Sequence, residues 1–187
     1  MPINLEKGQR ITLGLSNVTL GLGWDPAING QQCDLDISAF CLGEDGKIPN
    51  DNYLIFYNNK YSPDGAIEGA DDDTTGDASD GDDDEQIKVN LNKVDSMIKE
   101  IIFIATIHKA EERKQNFGQI RNSFIRIVDD VKKEEIAMYE LEEDFSIETS
   151  VEFGRLYRKG GEWKFQAMGD GYKEGLNFFV GKYYQSA

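Results

Sequence analysis

The sequence predicts a mainly β fold, a two-sheet β-sandwich with a few short helices and a C-terminal amphipathic helix, on three observations. Cys33, Leu35, Ile37, Ala39 and Cys41 alternate with Asp34, Asp36 and Ser38, the period of two that sends successive side chains to opposite faces of a strand. The apolar runs 53–57, 101–107 and 124–128 are short, rich in β-branched or aromatic residues, and bounded by Asn, Asp, Lys or Gly, as buried strands are. Helical periodicity is confined to two segments, too few to build a helical layer.

Further elements follow the same logic. Ile87, Val89 and Leu91 alternate with Lys88 and Asn90, and residues 151–157 and 163–167 flank Arg158-Lys159-Gly160-Gly161-Glu162, the pattern of a hairpin. Residues 109–119, rich in Ala, Glu, Arg, Lys and Gln, are expected to form an exposed helix crossing between two strands. Leu176, Phe179, Val180, Tyr183 and Tyr184 recur at i, i+3, i+4, i+7 and i+8, one apolar stripe of a terminal helix that packs on the core. Gly154, Gly160, Gly161, Gly169 and Gly171 form no G-x-G-x-x-G or P-loop pattern and are expected in turns. The 187 residues contain no internal repeat and suit one domain over 1–187.

Composition narrows the function. Lys and Arg number 20 against 35 Asp and Glu, a formal net charge of −15 that repels a phosphate backbone, so nucleic acid is excluded as a partner. Residues 1–10 hold no apolar run that could serve as a signal peptide, and no segment has the apolar length of a membrane span, so a cytoplasmic protein without direct membrane insertion is expected. On one continuous strand Cys33 and Cys41 stand about 26 Å apart, beyond disulfide reach, and read as reduced core thiols. With one histidine, His108, and two cysteines the chain cannot assemble a usual zinc site. His108 has no nucleophile pattern beside it and is expected to be structural, as are Trp24 and Trp163. No catalytic constellation emerges, and the chain reads as a non-enzyme.

The charge is concentrated. Residues 71–85 carry nine of the acidic groups, and without them 26 acids face 20 bases, a balance of −6. Gly76, Gly81, Thr74, Thr75 and Ser79 interleave the carboxylates, allowing the backbone to bend around an ion that takes 6–8 hard oxygen ligands, as Ca²⁺ does. The segment runs directly into the strand at 87–91, and carboxylates held together beside a sheet oppose folding unless a cation compensates them. Asp34 and Asp36, about 7 Å apart on one strand face, and Asp25, expected in a neighbouring loop, can add ligands from elsewhere in the chain. An EF-hand is excluded, because the match is partial and a strand follows it. A metal-independent reading, an acidic module docking onto a basic partner, stands as the alternative.

Gly21-Leu22-Gly23-Trp24-Asp25, 34–40, Phe56-Tyr57-Asn58-Asn59, Asp72-Asp73-Thr74-Thr75-Gly76 and 80–85 resemble the TerD family of tellurium-resistance and stress-response proteins. The similarity continues through 102–108, Asn116-Phe117-Gly118-Gln119, Ser123-Phe124-Ile125-Arg126, 153–158, 161–165 and Gly169-Asp170-Gly171-Tyr172. The resemblance implies a β-sandwich that binds two Ca²⁺ ions through candidate ligands Asp25, Asp34, Asp36, Asp72, Asp73, Gly76, Asp80, Asp82, Asp83, Asp84 and Glu85. It also implies a cytoplasmic protein without established catalysis. Such a protein works with other Ter-type proteins, including a membrane-embedded partner, at the inner membrane face. Ala78-Ser79 and an additional Asp lengthen the family's spacing before the acidic block, so the choice among Asp80, Asp82, Asp83, Asp84 and Glu85 stays open.

Overall fold

In the computed structural model, which describes residues 2–25, 33–69, 83–141 and 147–184, the alternating segments pair into two sheets of six strands. The first contains, in spatial order, β1 (Ile3–Asn4), β10 (Glu134–Glu140), β9 (Arg121–Asp129), β3 (Asn17–Asp25), β7 (Glu85–Asn90) and β6 (Ile67–Gly69). The second contains β2 (Arg10–Leu13), β12 (Glu162–Tyr172), β11 (Ser150–Lys159), β8 (Glu100–Ile107), β4 (Leu35–Leu42) and β5 (Leu54–Ile55). β1 joins β10 in parallel; the other pairings are antiparallel.

The two apolar faces close on each other. Leu20, Leu22 and Trp24 of β3, Ile125 and Ile127 of β9, and Ile87 and Val89 of β7 are all buried. So are Leu35, Ile37 and Ala39 of β4, Phe103 and Ala105 of β8, Phe153 of β11 and Phe165 of β12. Phe103 and Phe153 stack with ring centroids 6.0 Å apart near the centre. Burying such interdigitating side chains between sheets is the main favourable term in folding.

The other face of the second sheet is largely buried as well, and it carries polar groups among its apolar ones. Asp36, Thr106, Ser150 and Tyr172 lie opposite one another across four strands, and Ser38, Ile104 and Glu152 form the next row. The predicted terminal helix, α2 (Leu176–Tyr183), covers part of this face, with Phe179 and Tyr183 buried and Tyr183 against Phe40. Glu152, 1% exposed, meets Lys182 Nζ at 2.9 Å and accepts the Tyr183 hydroxyl. Burial and that hydrogen bond push the Tyr183 phenol above its ordinary range. Among the described residues no helix is long and apolar enough to cross a membrane.

Three local expectations are corrected. The run 53–57 is a strand only at Leu54–Ile55, with Tyr53 ending a 3-10 turn and Tyr57 exposed. Residues 109–119 do not form one helix: α1 spans only Ala110–Arg113, because Lys109 and Lys114 take left-handed backbone at φ 52° and 55°. The chain then turns inward, burying Phe117 in a short 3-10 turn, Phe117–Gln119; burying that ring outweighs the helix propensity of the charged residues. Gly160 and Gly161 do form the hairpin turn, both with positive φ, as a two-residue connection requires. Gly154, Gly169 and Gly171, however, lie within strands.

At Gly154 the reason is space, since a Cβ there would stand 2.3 Å from the buried Phe165 ring and 3.1 Å from the Gln166 carbonyl oxygen. Gly154→Ala must therefore displace a core ring and is expected to cost about 1–3 kcal/mol. A urea titration checks this; a midpoint equal to that of the unsubstituted protein contradicts it.

Candidate functional site

Three strand ends carry the described members of the predicted ligand set. Asp25 ends β3, Asp34 and Asp36 open β4, and Asp83, Asp84 and Glu85 lead into β7. Asp25, expected in a loop, is thus a strand residue, and its carboxylate accepts a hydrogen bond from the Asn122 side-chain amide. Asp72, Asp73, Gly76, Asp80 and Asp82 lie outside the described residues.

The three consecutive acids at the start of β7 go to three different places. Arg126, Gly21 and Gln86 stand directly opposite one another across β9, β3 and β7. Gly21 leaves a gap in that row, and the Asp83 carboxylate fills it: a Cβ on Gly21 would come within 2.1 Å of Asp83 Oδ2. Arg126 Nε donates to Asp83 Oδ1 at 2.6 Å and Gln86 Nε2 donates to Oδ2 at 2.9 Å. The Asp83 side chain is 0% exposed, so this buried charge is paired as burial demands.

Asp84 continues the ladder by donating its backbone N–H to the Leu22 carbonyl at 2.9 Å, and its Oδ2 accepts the Trp24 N–H at 2.8 Å. Glu85 crosses to the other sheet. β5 covers only Ala39 and Phe40 of β4, and beyond it Glu85 Oε2 accepts the Ile37 N–H at 2.6 Å. A carboxylate from one sheet thereby takes the place of a missing strand partner in the other. Where a strand edge is buried, its backbone donors require such partners.

Around Asp34 and Asp36 the contacts are different. The Asp34 carbonyl accepts the His108 N–H at 2.7 Å, and Asp36 Oδ2 lies 3.9 Å from His108 Nδ1. His108 also meets the Tyr57 ring edge-on at 6.3 Å. The Trp24 indole N–H donates to the Cys33 carbonyl at 3.0 Å and ties the end of β3 to the approach to β4. Cys33 and Cys41 are both buried and free, and burial raises both thiols, which suits inert core residues.

Asp34, Asp36, Asp84 and Glu85 are each 8% exposed or less, and their donors are hard carboxylate oxygens of the kind calcium takes. Among the described residues no three His, Cys, Asp or Glu groups converge closely enough to hold a metal ion. Sequence reasoning missed Arg126, Gln86 and the Ile37 N–H. The available signal was Gly21 and Gly23, two residues apart and so on one face of a strand, marking a bare strip that other groups must cover. At Gly23 the cover is the Phe124 ring, 2.4 Å from where a Cβ would be.

The chain matches the TerD domain over residues 1–183. It is 46% identical over 189 residues to tellurium resistance protein TerD of Serratia marcescens, covering 98% of this chain and 97% of that protein. It is 49% identical over 183 residues to general stress protein 16U of Bacillus subtilis (strain 168), covering 94% of each. Among solved structures, SAV2460, a protein of unknown function, superimposes with a TM-score of 0.76 at 24% identity, covering 93% of this chain and all of that one.

The Glu85 bridge is open to test. In chelator, Glu85→Ala leaves the Ile37 N–H without its acceptor and is expected to destabilise by about 1–3 kcal/mol, whereas Glu85→Gln, which keeps a carbonyl oxygen, loses less. Equal unfolding midpoints for the two variants and the parent contradict the bridge.

Proposed function

Because this chain belongs to the TerD-domain family, we propose that it is a non-enzymatic stress-response protein that binds calcium through carboxylates at the β3, β4 and β7 strand ends together with residues 71–82. In this reading two ions are held. Asp34, Asp36, Asp84 and Glu85 frame the site from the sheets, and Asp72, Asp73, Gly76, Asp80 and Asp82 supply further oxygens.

The observation that carries the reading is the burial of four carboxylates, two at the start of β4 and two at the start of β7. Buried anions raise the free energy of the fold unless a cation or hydrogen-bond donors compensate them. The backbone donors of Trp24 and Ile37 take one oxygen each from Asp84 and Glu85. Calcium suits such an irregular donor set better than Mg²⁺, which demands near-ideal octahedral geometry and gives up water reluctantly. When bound, calcium supplies positive charge and a coordination demand; the chain supplies the oxygens and the rigid sheet edges that place them.

The named relatives support assigning the chain to tellurium resistance and general stress response. A cytoplasmic location follows in this proposal, with partnership to other Ter-type proteins, a membrane-embedded one among them, holding the chain at the inner membrane face. The reading involves no catalysis.

Thermal melts in chelator, in Ca²⁺ and in Mg²⁺ test the proposal. At calcium 100-fold above its dissociation constant one site adds about 2.7 kcal/mol, a rise of about 5–10 °C for a domain of this size, with a smaller rise in Mg²⁺. A melting temperature indifferent to calcium at millimolar concentration sinks the reading and leaves the metal-independent acidic module.

A further inference from the structure

We infer that Asp83 anchors the acidic segment to the sheet instead of ligating an ion, and that Arg126 is a positioning residue that sets how well the neighbouring carboxylates hold calcium. The inference rests on the calcium reading above and deepens it.

The seat that holds Asp83 is built from three strands. Gly21 provides the space, Arg126 the charged donor and Gln86 the neutral one, and register places the three residues in one row. Both Asp83 oxygens are engaged there, at 2.6 Å and 2.9 Å, and the side chain is 0% exposed. Arg126 is itself held from the far side, with Nη1 3.5 Å from Glu135 Oε2 on β10. The guanidinium thus has a carboxylate on each of two sides, the closer being Asp83.

Asp83 precedes Asp84 and Glu85 directly, and consecutive Cα atoms are 3.8 Å apart across a trans peptide. The seat of Asp83 therefore bears on the placement of the two carboxylates that follow it and bond the Trp24 and Ile37 backbone. Asp83 gives up both oxygens to protein donors, so the block of acids divides into one anchor and two inward-facing groups. Metal sites depend on such supporting contacts nearly as much as on their ligands.

Charge and position make opposite predictions here. Arg126 is a cation beside a proposed cation site, so by Coulomb's law alone its neutralisation strengthens calcium binding. If Arg126 acts by holding Asp83 in place, its neutralisation weakens binding.

Calcium titration calorimetry on the full chain at fixed ionic strength separates the two. Arg126→Met is expected to weaken calcium binding about ten-fold at unchanged stoichiometry. Arg126→Lys, which keeps the charge and one donor, is expected to fall between Arg126→Met and the parent. Binding by Arg126→Met that is unchanged or tighter than that of the parent overturns the inference while leaving the calcium reading intact. An unsubstituted protein that releases no heat with calcium removes the reading, and the inference with it. Circular dichroism in chelator establishes that the variants are folded. Should Arg126→Met fail to fold, Gln86→Leu, which removes the second donor without changing charge, carries the same readout: weaker binding supports the anchor and unchanged binding overturns it.

Discussion

The fold at its functional end depends on carboxylates acting as backbone partners. Glu85 accepts the Ile37 N–H where β5 has stopped short, and Asp84 accepts the Trp24 N–H where β3 ends. Hydrogen bonds to an ionised acceptor are stronger than neutral ones, and leaving a buried donor unmet costs more than making the bond returns. The two contacts join the first sheet to the open edge of the second and strap the end of β3 to the start of β7. Without them the sandwich would have unmatched donors at the place where the acidic segment attaches.

The arrangement explains why a chain with a net charge of −15 puts acids inside its fold. Asp83, Asp84 and Glu85 are adjacent like charges, an unfavourable grouping if all point into one space. Their side chains instead find separate partners, one on the outer surface of the first sheet against Arg126, one on the β3 backbone, and one across the sandwich on β4. Distribution of the charge over three sets of donors makes the cluster compatible with folding. It also gives a candidate cation site firm walls, since its framing residues sit on strands and not on a free loop.

Much of this was legible from the residues. The alternation at 33–41, the apolar run at 101–107 and the hairpin around Gly160-Gly161 reappear as β4, β8 and the β11–β12 turn, because period-two patterning and a demand for positive φ are local properties. The helix expected at 109–119 failed because burial of Phe117, a tertiary effect, overrode propensity. The anchoring of Asp83 was invisible for a similar reason: it depends on a strand register that brings Arg126, Gly21 and Gln86 into one row from far apart in the chain. Asp83, counted from sequence as a candidate ligand, accepts a hydrogen bond on each of its oxygens. The polar row from Asp36 to Tyr172 likewise becomes apparent only once four strands are aligned.

Lanthanide-substituted crystals test the account most directly, because anomalous difference density identifies both the ion and its ligands. The account predicts density beside the β4 and β7 strand ends, coordinated by oxygens from 71–82 together with Asp34, Asp36, Asp84 or Glu85, with Asp83 still seated against Arg126. An ion coordinated by Asp83 with Arg126 turned away, or no density at a saturating lanthanide concentration, contradicts it.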